Sequence, residues 1–124
     1  MPEQPLDPEG LRRLARNLLN VPADFTSQKT KGPVNPIRVP AETRTLLEAA
    51  RTALLRRIVD SPDYAREFNE AVQRMDRGAL LTLGESAARS SDDVEVKVVD
   101  IDNDFWCVFS FCAFGFCASI GFGW

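Results

Sequence analysis

The chain has 124 residues, enough for one small domain and tails. Its 15 Lys+Arg against 18 Asp+Glu leave a net charge of −3, which excludes a strongly basic surface for nucleic acid. It has no histidine, so it lacks the commonest general base, the commonest metal ligand and every Ser-His or Cys-His nucleophile pair. The expectation is a protein that is not an enzyme and has no catalytic residues, cofactor or metal.

The opening stretch MPEQPLDPEG is polar and proline-rich, without the apolar run of a signal peptide. It predicts a cytoplasmic chain. The first helix starts at Asp7, a cap, with Pro8 at its first position. Leu11, Leu14, Ala15, Leu18 and Leu19 form its apolar face. Residues 20–40 contain Pro22, Pro33, Pro36, Pro40 and Gly32, and read as a linker, whose alternating Val34, Ile37 and Val39 leave open an extended strand. A second helix is expected from about Pro40 to Asp60. Leu47, Ala50, Leu54 and Ile58 form its stripe, while Arg44, Arg51, Arg56 and Arg57 fall mostly outside it. Ser61 caps a third helix, with Pro62 next and Tyr64, Phe68, Val72 and Met75 on its buried face. Asp76-Arg77-Gly78 is a turn, and a short helix follows from Ala79 to about Ala88. The stretch ARSSDD then reads as a hinge.

Charge divides the chain sharply. Residues 1–91 hold 12 acids and 14 bases, residues 92–104 hold six acids and one lysine, and residues 105–124 hold no charge. Val94, Val96 and Val98 alternate with Glu95 and Lys97, a half-buried strand pattern. Beyond Asp104 both faces look apolar. The last 20 residues hold all three cysteines, both tryptophans and six of the eight phenylalanines.

Cys107, Cys112 and Cys117 stand at C-x4-C-x4-C, with Ser110 and Ser119 among them. Zinc would need a fourth ligand. Asp100, Asp102 and Asp104 open like a calcium loop, but Phe105 and Phe111 occupy the places of its glycine and its glutamate. Twenty uncharged residues reach the length of a membrane span, yet the composition is Phe, Cys and Gly and no basic flank is present. Interfacial association through Trp106 and Trp124 stays open. So does a folded role, in which the segment forms two or three strands packed on the helices.

The remaining reading is a peptide substrate. Residues 54–88, LLRRIVDSPDYAREFNEAVQRMDRGALLTLGESAA, resemble helical leaders of the nitrogen-fixation-related and nitrile-hydratase-like families, which belong to precursors of ribosomally synthesised, post-translationally modified peptides. The shared features are a D-P-like break, an aromatic or Leu every few residues, and a Leu-rich helix ending in small residues. The double-glycine cleavage site common in such leaders is absent from LGESAA. The resemblance implies a leader gripped by a modifying enzyme and a C-terminal core that the enzyme alters.

The expected fold is therefore mainly α, a small helical leader domain followed by an extended or β-like hydrophobic C-terminal segment. The expected organisation is a leader at 1–90 with the Pro-rich linker at 20–40, an acidic junction at 91–104 and a core peptide at 105–124. The modified residues would be Cys107, Cys112, Cys117, Ser110 and Ser119. The enzyme would grip Tyr64, Phe68 and Val72. The expected partners are a peptide-modifying enzyme and a leader protease or transporter, not nucleic acid. The product would be a small, secreted, membrane-active natural product. The rivals are a small α+β structural or interaction protein with a C-terminal core, and a membrane-associating tail.

Overall fold

The computed structural model describes residues 7–88, 93–102 and 106–123. The expectations placed on Asp104, Trp124 and most of the 88–93 hinge lie outside the described residues.

Local chemistry sets the helices. Helix α1 spans Pro8–Leu18, and the Asp7 carboxylate accepts from the Glu9 N–H at 3.1 Å. Helix α2 spans Ala41–Asp60. Ser61 ends it and caps α3, Pro62–Gln73, its hydroxyl accepting from the Tyr64 N–H at 3.1 Å. Helix α4, Arg77–Ala88, follows, with the Asp76 carboxylate accepting from the Ala79 N–H at 3.0 Å. These caps satisfy amide groups that no helical carbonyl reaches.

The rest is sheet. Strands β1 (Asp24–Ser27), β2 (Pro33–Val34), β3 (Glu95–Asp102), β4 (Trp106–Ala113) and β5 (Phe116–Gly123) form one antiparallel sheet in the order β2-β1-β5-β4-β3. The protein is therefore α+β, which overturns the expectation of a mainly α fold with an extended tail. The physical reason lies in side-chain size. In β4, Cys107, Phe109, Phe111 and Ala113 share one face while Val108, Ser110 and Cys112 share the other. Both faces lack charge, so polarity does not alternate, but bulk does. The proline-rich segment 20–40 supplies β1, β2 and a 3-10 turn at Pro36–Arg38. Pro33 is tolerated because it opens a two-residue edge strand.

All four helices lie on the Phe face. The Phe68 ring of α3 stands 5.5 Å from Phe109 and 5.4 Å from Phe122. Gly84 of α4 meets Phe109 and Val96. Leu47, Leu54, Leu55 and Ile58 of α2 and Leu11 of α1 complete the same fully buried cluster. Each such side chain contributes about 1.5–3 kcal/mol by leaving water. The four-residue sequence Ala113-Phe114-Gly115-Phe116 reverses β4 into β5, with φ of +52° at Phe114 and +86° at Gly115. Two successive positive φ values match the right-handed twist of a two-residue hairpin.

Candidate functional site

The opposite sheet face carries the residues with chemistry. Strand register places Asp24 and Thr26 of β1, Cys117, Ser119 and Gly121 of β5, Val108, Ser110 and Cys112 of β4, and Glu95, Lys97 and Asp100 of β3 on it. Ser110 lies opposite Ser119, and Cys112 opposite Cys117. The last two form a disulfide with Cα atoms 4.0 Å apart. The two-residue turn puts Ala113 and Phe116 at the first rung and the cysteines at the second. That second rung is a close, non-hydrogen-bonded pair. The Ser110 hydroxyl lies 3.4 Å from the Cys112 sulfur. Trp106 lays its ring over Gly121, where a β-carbon would stand 2.8 Å from Cη2.

Cys107 is on the other face. It is fully buried between the sheet and the helices as a free thiol. Burial, with Asp100 nearby, pushes its pKa up to about 12, so it is neither nucleophile nor ligand while folded. The even C-x4-C-x4-C spacing thus conceals a division. Five residues along one strand is an odd step and flips the face.

The other sequence-predicted residues, Tyr64, Phe68 and Val72, are buried on α3 against the sheet and α4. Tyr64 donates from its hydroxyl to the Leu83 carbonyl. Burial raises its pKa, which the Arg57 guanidinium 5.3 Å from the ring partly opposes. A partner would reach this stripe only after the helix layer opened.

Two features escape periodicity. Arg51 is buried, and its Nη2 donates to the Leu18 carbonyl at 3.2 Å, closing the end of α1. Desolvation lowers its pKa, and Asp24 and Glu48 oppose that. Its Nε has no partner, beside a crevice of about 310 Å³ lined by residues 19–23, Glu48 and Thr52. Phe114, at the β4–β5 apex, is 68% exposed. A Phe-Gly pair between two short apolar runs was the available signal for that apex.

Among the described residues no group of three His, Cys, Asp or Glu is placed to hold a metal ion, and no helix is long and apolar enough to cross a membrane. No protein-family model, curated protein or solved structure matches the chain.

Proposed function

We propose that this chain is a small, non-catalytic α+β interaction protein whose C-terminal strands are its structural core. One observation carries the reading: Phe109, Phe111 and Phe122 are fully buried against the helices, with Phe109 and Phe122 on Phe68. A segment that anchors the helix layer serves poorly as a detachable product. Intact mass of the protein from its producing cell tests this. The expected value is the sequence mass less two hydrogens for one disulfide. Water losses at the cysteines or serines, or excision of the C-terminal segment, would contradict it.

A second reading, the modified-peptide precursor, keeps one supporting observation. Ser110, Ser119, Cys112 and Cys117 occupy two facing positions on the helix-free face. In that reading the peptide-modifying enzyme holds residues 1–90 and acts before the strands pair, and a leader protease or transporter follows. The product would then be membrane-active. The two readings differ in order of events: modification of the folded, disulfide-closed protein is expected to fail under both, whereas modification of the reduced, unfolded chain occurs only under the second.

A further inference from the structure

We propose that the paired hairpin tips at one end of the sheet form an interfacial docking point for an anionic lipid surface. The β4–β5 tip is Phe114-Gly115, and residues 28–32 form the β1–β2 tip. The Gln28 N–H donates to the Gly115 carbonyl at 2.9 Å, which joins the two tips. Within its loop, the Ser27 hydroxyl accepts from the N–H groups of Lys29 and Thr30 at 3.2 and 3.4 Å. The Lys31 N–H donates to the Ser27 carbonyl at 2.8 Å. The loop carrying both lysines is therefore ordered by its own hydrogen bonds.

Phe114 violates two local preferences at once. Its ring is largely in water, and its φ of +52° lies in the left-handed region that Asn or Gly adopts more readily. The Cys112–Cys117 disulfide, at the second rung below, holds the turn closed. Residues kept in unfavourable conformations by their surroundings concentrate at functional sites.

Charge points to the occupant. Lys29 and Lys31 are exposed, and no ion pair among the described residues includes either. Neither tip carries an acid. Glu95, toward the same end on β3, lies opposite Cys112 and is paired with Lys97 at 3.3 Å. The joined tips offer one exposed ring and, in the adjoining loop, two exposed cations. Such a convex feature presents little shape or hydrogen-bond pattern for a rigid partner to read. A deformable anionic interface needs neither: the ring enters at headgroup depth and the lysines meet lipid charge.

The inference rests on the interaction-domain reading, because it requires the paired strands. Cosedimentation of the full, oxidised chain with phosphatidylcholine vesicles, with and without phosphatidylserine, tests it. Binding is expected only with phosphatidylserine and should weaken as salt rises. The double variant Lys29→Gln, Lys31→Gln should lower partitioning about thirtyfold, the factor for about 1 kcal/mol per lysine. Phe114→Asn should lower it roughly tenfold while raising the thermal midpoint, because it relieves the strained φ. Trp106→Ala, at the far end of β4, should leave partitioning unchanged. Equal binding to neutral vesicles, no binding to either kind, or a Phe114→Asn variant that binds normally would overturn the inference. No binding by the unaltered chain while its strands are protected from hydrogen exchange would overturn this tip assignment alone. Unprotected strands would overturn the interaction-domain reading as well.

Discussion

Gly84 of α4 lies against the ring of Phe109 of β4: a β-carbon at position 84 would stand 2.6 Å from Phe109 Cε2 and 3.1 Å from Val96 Cγ1. This contact lets the last helix sit directly on the sheet. Two effects compete in Gly84→Ala. Helix propensity favours alanine by about 1 kcal/mol. The overlap with a fully buried ring costs about 1–3 kcal/mol and more if the ring cannot shift. The contact is well under van der Waals distance, so the clash should win. A chemical-denaturation midpoint lower than wild type is expected; a higher one would mean α4 does not seat on Phe109.

Phe68 packs on Phe109 and Phe122 and is fully buried. Phe68→Ala should cost about 3–5 kcal/mol, the range for emptying an aromatic core site. Sheet and helix signals should be lost in one transition, because the residue belongs to both layers. Helix loss with the sheet intact would place Phe68 outside the shared core.

The Cys112–Cys117 disulfide closes a short loop. Chain-entropy arguments give such a closure about 2 kcal/mol. Reduction by a phosphine should therefore lower stability modestly and leave the fold in place, since Cys107 does not take part. Unfolding on reduction would show that the sheet depends on the bond.

Burial lifts the Cys107 thiol from 9.0 unfolded to about 12 folded. The folded state holds this proton more tightly than the unfolded state. The resulting stability is complete below about pH 9 and is lost as pH rises through about 12. Tyr64 shifts in the same direction. The thermal midpoint should stay level from neutral pH to about 9 and fall above it. Cys107→Ala should make that fall shallower; an unchanged slope would assign the effect elsewhere. Iodoacetamide should label Cys107 only after denaturation.

The helices were legible because caps are local. Asp7 and Ser61 bond amides two and three residues away, so the sequence alone announces them. The alternation Val94-Val96-Val98 likewise anticipates β3. The tail was not legible as strands, because its alternation is of size rather than polarity: Phe109 and Phe111 face the helices while Ser110 and Cys112 face away. Four prolines obscured β1 and β2: Val34 alone was in the alternation that hinted at a strand, and the pairing of β1 with β5, roughly 90 positions away, leaves no local trace. Arg51 falls outside the apolar stripe of α2, yet it is buried, because the end of α1 arrives there and supplies the Leu18 carbonyl. The cysteines were visible as a set but not as a pair and a singleton; face and turn decide that.

Hydrogen exchange of the native full chain, resolved by peptide, tests the central claim most directly. If β4 and β5 form the core, amides within residues 106–123 should be among the slowest in the molecule, exchanging only with global unfolding alongside the buried turns of α2 and α3. Exchange of that segment within seconds, while the helices remained protected, would contradict a structural C-terminus and restore the picture of a helical carrier with a free tail.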